Sequence, residues 1–538
     1  MPMGCLIIDY LVGVSFKKQY LHYYPIMTNF QDNKRIAKNT LLLYFRMFFT
    51  ILVGLYTSRI VLAVLDVEDY GIYNVVGGVV AMFGFLNSAM IATSQRFIAY
   101  ELGRGTWERL QKVFSMSINI HFLIAAVVLL LSETIGVWFL NVKMNIPVHR
   151  LNAANWVYQC SIFALVINII GVPYNAAIVA HEKMKVYAYI CILEVSLKLL
   201  IAFLLSTLLF GDKLKLYAVL ILLSAFIIRI VYVTYCKYRI SGCHYSMYWN
   251  KLLFMRMMGF AGWSFVGNLG FVAKDQGVNI LLNLFEGPVV NAARGIAYQV
   301  SGVVQGFVQN FQMAMNPQIT KLYASGERQA MLSLVFRGSR FSFYLLLMVV
   351  IPVLLNTSYI LKLWLTVVPE NTDMFLRLVL IMSLIHSMAV SLVTAIQATG
   401  RIKKFQICIA LVMLMDIPLS YCLLKFGYAS YSVMYIAIFT TIIGLFVRLW
   451  ILKQSLSISL TAYMKQVVLK NLLIFILSFF IPFYCCSDAT NFGELVLYTL
   501  GLLIYVASII FFTGLQKNER KFLSERILKH IYPMKYGK

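Results

Sequence analysis

Fourteen apolar spans follow one another along this chain, near 39–64, 71–95, 114–140, 156–180, 186–209, 214–236, 257–285, 289–316, 335–356, 374–398, 405–424, 430–452, 467–485 and 494–514. Each can cross a ~30 Å hydrocarbon layer at ~1.5 Å per residue, with room for tilt. A segment in lipid must satisfy its own backbone hydrogen bonds, and a helix does this within itself. A β-barrel would need short segments of alternating polarity, whereas these spans are apolar on most faces. The expected fold is an all-α integral membrane bundle of about fourteen transmembrane helices. A mean hydropathy of +0.80, with 61% hydrophobic and 12% charged residues, excludes an ordinary soluble domain.

Charge then sets the orientation. Lys and Arg gather in the two tails and in every second loop, and the alternate loops hold few. Cytoplasmic loops retain cations, so both termini are expected in the cytoplasm. The net charge of +25 is thereby mostly topology and calls for no nucleic-acid partner.

No loop is long enough for a second domain; the longest stretches between spans lie near 237–256, 317–334 and 357–373. Any chemistry must sit inside the bundle or at its faces. The nine cysteines are scattered, with only Cys485 and Cys486 adjacent and no CxxC pair, so neither a disulfide framework nor a metal site is expected, and no cofactor. No GxxxxGK[ST] phosphate loop is present. Transport would draw on an ion gradient, on the substrate's own gradient or on another subunit. Residues 1–26 hold an apolar run broken by Asp9, too short for a span and without a signal-peptide cleavage site. Met27 reads as the natural start, or else 1–26 is an interfacial tail; 1–38 together form a cytoplasmic lead-in.

An internal repeat organises the rest. Ala177-Ile178-Val179-Ala180-His181-Glu182-Lys183-Met184-Lys185 matches Ala395-Ile396-Gln397-Ala398-Thr399-Gly400-Arg401-Ile402-Lys403 in spacing and in basic ends. Gly105 corresponds to Gly326, and Phe139-Leu140 to Trp364-Leu365. Six spans repeated in one orientation give a first six-helix lobe (39–236) and a second (257–452), related by an axis along the membrane normal. Two further helices (467–514) and a basic cytoplasmic tail (515–538) follow. This is an architecture of alternating-access transporters, with the substrate path between lobes.

Leu65-Asp66-Val67-Glu68-Asp69-Tyr70-Gly71-Ile72-Tyr73-Asn74, followed by Ala92-Thr93-Ser94-Gln95-Arg96-Phe97-Ile98-Ala99, resembles the first loop and second span end of polysaccharide flippases. These belong to the multidrug/oligosaccharidyl-lipid/polysaccharide exporter superfamily, and the resemblance runs from about Ile36 to the end of the fourteenth span. The family pattern has Leu-Gly before the acidic turn; here Asp66 stands in place of that Gly. The resemblance implies a non-enzymatic flippase of O-antigen or capsule type in the bacterial inner membrane. It would turn polyprenyl-diphosphate-linked oligosaccharides from the cytoplasmic to the periplasmic leaflet, with a polysaccharide polymerase as candidate partner and H+ or Na+ as candidate coupling ion.

Polar residues inside the spans suggest the path. In span 289–316, Arg294, Tyr298, Ser301, Gln305, Gln309, Gln312 and Asn316 fall on one helical face. Span 257–285 carries Ser264, Asn268, Asp275, Asn279 and Asn283 in a similar stripe. Facing amide stripes would make a wet groove for sugar hydroxyls; the competing reading is hydrogen-bond glue between helices. Cations in hydrocarbon need a partner, a cavity or a route to the interface. Arg46 shares a face with Asn39, Thr50 and Thr57, so with Lys274 and Arg294 it is a candidate ligand for a diphosphate. Arg59 and Arg229 read as snorkelling side chains.

Asp275, Asp416 and Glu194 are the coupling-ion candidates. Asp416 stands alone in the middle of its span, and Glu194 with Lys198 has the i,i+4 order of an intrahelical pair. Two alternatives remain: an ion-coupled multidrug antiporter of the same superfamily, which would want an acidic aromatic cavity, and a membrane glycosyltransferase or polymerase, which would want a carboxylate-rich loop.

Overall fold

The computed structural model describes residues 29–144, 146–207, 211–365, 367–485, 491–517 and 519–521. The expected lead-in 1–26 and most of the basic tail lie outside these residues. The described residues are helical almost throughout and contain no strand.

The first helical run, Asn29–Arg104, breaks at Asp66, where φ is 63° and ψ is 168°. It therefore comprises two helices, α1 (29–65) and α2 (67–104). The chain reverses there, since Arg35 near the start of α1 and Gly103 near the end of α2 both meet the same end of a later helix, at Gln318 and Lys321. A single residue makes a turn that the sequence spread over 65–70. Asp66 stands where the resembled pattern has glycine, and its positive φ is the backbone state that glycine adopts without cost.

Next come α3 (Trp107–Val142), α4 (Leu151–Ala180), α5 (Met184–Thr207), α6 (Lys213–Arg239), α7 (Lys251–Glu286) and α8 (Pro288–Ala324). After them lie α9 (Arg328–Leu355), α10 (Thr372–Thr399), α11 (Lys403–Lys425), α12 (Ser432–Leu456), α13 (Leu460–Phe483) and α14 (Phe492–Gly514). Eleven helices among the described residues are long and apolar enough to cross a membrane; α2, α7 and α8 are not among them. Polar side chains dilute α7 and α8, which carry the two stripes noted above.

The helices pack in two groups, α1–α6 and α7–α12, with α13 and α14 laid against α9. Backbone turns repeat between the groups. Gly105 after α2 and Gly326 after α8 both have positive φ (73° and 85°), as do Glu182 after α4 and Gly400 after α10 (58° and 75°).

The acidic motif after Asp66 is a fastener. Arg150, at the start of α4, donates from Nε to Asp69 Oδ1 at 2.8 Å and from Nη1 to Asp212 Oδ2 at 3.2 Å. Asp212 also caps α6, accepting from the backbone N–H groups of Leu214 and Lys215. One arginine thereby ties the tips of α2, α4 and α6. At the other end of the bundle Arg340, fully buried in α9, donates to Glu519 at 2.8 Å, and Tyr344 donates to the Gly514 carbonyl. These bonds hold the end of α14 to the second group.

Candidate functional site

The two groups meet at the end of the bundle that carries most of the basic loops. Glu182, in the α4–α5 turn, has a side chain only 2% exposed, and two cations close on it. Arg35 of α1 lies 2.8 Å from one carboxylate oxygen and Lys321 of α8 lies 2.6 Å from the other. Arg35 also donates to Gln318 of α8 at 2.7 Å. The reciprocal contact uses the matching turn of the other group. Arg96 of α2 donates to the Gln397 and Ala398 carbonyls at 3.2 and 3.0 Å, at the end of α10. Its guanidinium lies over the Phe97, Tyr100 and Phe260 rings.

Gly103 brings α2 onto α8. A Cβ there would stand 2.5 Å from the Lys321 carbonyl oxygen, so only glycine permits this approach. Thus a cation of α2, Arg96, holds the α10–α11 turn, and the cation that ends α8, Lys321, holds the α4–α5 turn.

At the far end the groups separate. The core there gathers Val61, Leu65, Val76, Leu140, Tyr158, Leu205 and Tyr217, and among the described residues it takes no member from α7–α12. The larger core spans both groups and runs the length of α7–α10. Among the described residues the bonds between the groups lie at the basic end and midway along α1 and α8, so a cleft between them would open at the other end.

Arg46 lies where α1 and α8 come together. Its Nη2 donates to Asn310 Oδ1 of α8 at 2.8 Å, and its guanidinium lies 5.1 Å from the centre of the Tyr187 ring. Its Nη1 reaches Cys191 Sγ at 3.7 Å, and its buried Nε has no acceptor. Among the described residues no carboxylate pairs with it. Tyr44, two residues before Arg46, donates to the Phe307 carbonyl of α8 at 3.1 Å. Nearer the open end, Gly295 and Gly302 of α8 face empty space.

The other two proposed phosphate ligands are ion-paired. Arg294, 6% exposed, donates to Asp275 at 2.5 Å and to Asn279 at 3.4 Å, and lies over the Tyr298 ring at 4.5 Å. Lys274 pairs with Asp416 at 2.6 Å, joining α7 to α11. Asp416 is thus not alone in its span, and Lys274 does not turn to its sequence neighbour Asp275. A helix directs adjacent residues ~100° apart, so Lys274 and Asp275 face different partners. Glu194 and Lys198 form the expected i,i+4 pair at 2.7 Å, both about two-fifths exposed.

The amide stripe of α8 divides. Gln312 is 2% exposed and donates to Ser342 of α9 and Ser391 of α10 at 2.6 and 2.9 Å. Gln305 donates to Ser301 and Ser383, and Asn316 accepts from Thr394. These side chains bond helices within the second group, so Gln312 does not line a groove and Gln305 serves the same packing. Gln309 and Asn268 are exposed, and Asn279 is half-buried beside Arg294.

Sequence reading missed Glu182, Lys321, Arg35 and Arg96. A signal was present, because the repeat singled out both turns, with an acid in one where the other has Gly400.

No protein-family model and no curated protein matches the sequence. Solved structures do match in fold. One described as the outward-facing conformation of a multidrug resistance MATE family transporter of the MOP superfamily aligns with a TM-score of 0.69 at 12% identity, covering 79% of this chain and 96% of that one. A MATE protein in the bent conformation aligns with 0.68 at 14%, covering 79% and 97%. A MOP superfamily transporter from Pyrococcus furiosus, whose description cites a binding pocket of reverse polarity, aligns with 0.64 at 12%, covering 80% and 96%. The chain has a MATE-like transporter fold.

Proposed function

We propose that this protein is a multi-pass membrane transporter that works by alternating access and moves polyprenyl-diphosphate-linked oligosaccharides across the bacterial inner membrane. The observation that carries the substrate class is Arg46: a guanidinium at the meeting of the two groups, with no carboxylate partner among the described residues. Asp275 and Asp416 are already matched by Arg294 and Lys274. The paired charges cancel, which leaves the path with a positive surplus suited to a diphosphate. A path for cationic drugs would want the opposite sign.

On this reading the chain crosses fourteen times with both termini in the cytoplasm, and the basic end is the inner face. The conformation described is then open to the outside, with Glu182, Lys321 and Arg96 forming the inner closure. The sugar and diphosphate enter between the lobes while the polyprenyl tail stays in lipid. Asp275 and Asp416 are the coupling candidates in the second lobe. A proton or Na+ reaching either would weaken its hold on Arg294 or Lys274 and free a cation toward the cleft. Glu194, paired on its own helix, is the candidate in the first lobe.

The multidrug antiporter is the second reading, favoured by the likeness in fold to a multidrug resistance transporter. The deciding experiment is complementation of a flippase-deficient strain beside a drug-susceptibility assay. Rescue of polymer export that Arg46→Gln abolishes at normal membrane levels supports the flippase. Rescue of drug resistance without polymer export overturns it.

A further inference from the structure

A cavity of about 580 Å³ lies between α9, α10, α13 and α14, on the far side of α9 and α10 from the cleft. One wall is a run of rings: Phe475 stacks on Phe479 at 5.7 Å between centroids, and Phe479 on Phe483 at 5.5 Å. Gly501 lines the opposite wall, and a Cβ placed there meets nothing within 4 Å, so the space beside it is open. Leu497 and Phe483 are 70% and 54% exposed, which leaves the cavity open sideways to the surroundings of the bundle.

The charged and amide side chains of the lining lie at one end. Asn356 follows the last residue of α9, and Arg377 lies five residues after the start of α10 at Thr372. Gly501 and Tyr505 lie ~14 and ~20 Å into α14 at ~1.5 Å per residue, so the slot runs from the helix tips to about the middle of the bilayer. Arg377 has no ion pair or hydrogen bond among the described residues, and its Nε is buried without an acceptor. Among the described residues no carboxylate pairs with this arginine, which lies at headgroup depth above a largely apolar slot that opens into lipid.

We propose that this slot holds one acyl chain of an anionic phospholipid from the leaflet at that end, with the lipid phosphate on Arg377. The volume falls in the ~300–1,000 Å³ range of single-ligand pockets, and the second chain stays in the bilayer. The site stands apart from the cleft, so its occupant is a resident lipid that joins α13 and α14 to the second group, and it does not depend on which substrate the protein carries.

The test is native mass spectrometry of the full-length protein in detergent, offered phosphatidylglycerol or phosphatidylcholine of identical chains. The wild type should keep one phosphatidylglycerol in preference to phosphatidylcholine. Arg377→Gln should weaken that retention by about tenfold, to the level of phosphatidylcholine, as expected for one charge-assisted contact. Gly501→Phe, which fills the slot and leaves the charge in place, should remove both lipids. Equal retention of the two lipids by the wild type, or phosphatidylglycerol retention unchanged in both variants, would overturn the proposal. So would displacement of phosphatidylglycerol by equimolar undecaprenyl phosphate, which would assign the slot to the tail of the cargo.

Discussion

Replacing Glu182 by Gln removes the acid at the centre of the closed end and leaves the backbone turn intact. The carboxylate is 2% exposed and sits between Arg35 and Lys321, at 2.8 and 2.6 Å. Arg35 belongs to the same group as Glu182, so most of its contribution survives any separation of the groups. Lys321 belongs to the other group, and its bond exists only while the end is closed. A buried charge-assisted bond of this kind contributes about 1.5–3 kcal/mol. Its loss should shift the ratio of open to closed inner ends by roughly 10- to 150-fold.

Spin labels at Lys185 and Gln329, both exposed and on opposite sides of the seam, report that distance by double electron–electron resonance. The Gln variant should gain a longer-distance population, and the charge exchange Glu182→Lys with Lys321→Glu should restore part of the short one. Glu182→Gly is informative in another way. It relieves a left-handed residue (φ 58°), worth about 1 kcal/mol, less than the about 1.5–3 kcal/mol lost with the charge-assisted bond, so thermal stability should fall, though less than in Glu182→Ala, while the gate opens. Unchanged distance distributions in Glu182→Gln would refute the view that this cluster holds the groups together.

Asp66→Gly should raise the unfolding temperature in detergent, because φ of 63° with ψ of 168° costs a non-glycine residue about 1–3 kcal/mol; a fall would mean that the Asp side chain itself stabilises the turn. Asp416→Leu or Lys274→Met alone should destabilise by about 3–5 kcal/mol, since each leaves a buried charge unmatched, and the double variant should cost far less. Additive losses in a double-mutant cycle would show that the pair does not act as a unit. Reporter fusions at Lys143 and Lys213 should read periplasmic and those at Lys183 and Lys251 cytoplasmic, and reversal at any site would break the proposed topology.

The all-helical fold was legible because helices in lipid announce themselves by length and apolarity. The turn at Asp66 was legible as a motif, though only its φ explains why glycine belongs there. The amide stripe of α8 misled because periodicity tells which residues share a face and is silent on what that face meets. Gln312 and Gln305 lie on the expected face and still bond within their own group. The same silence hid the pairing of Lys274 with Asp416, which is set by how α7 and α11 approach one another. Glu182 and Lys321, 139 residues apart, are joined only when the two groups close. Their spacing carries no local pattern, and the one local mark is an acid at 182 where the repeat has Gly400.

Transport by the purified protein in liposomes tests the central claim most directly. A fluorescent polyprenyl-diphosphate oligosaccharide in one leaflet should appear in the other at a rate that Arg46→Gln lowers by about 10- to 100-fold, the worth of one charged contact to phosphate. Arg46→Lys should keep part of that rate, since it retains the charge and loses the planar fork. No movement of this lipid by the wild type, together with gradient-driven uptake of a cationic dye, would contradict the flippase and leave the antiporter in its place.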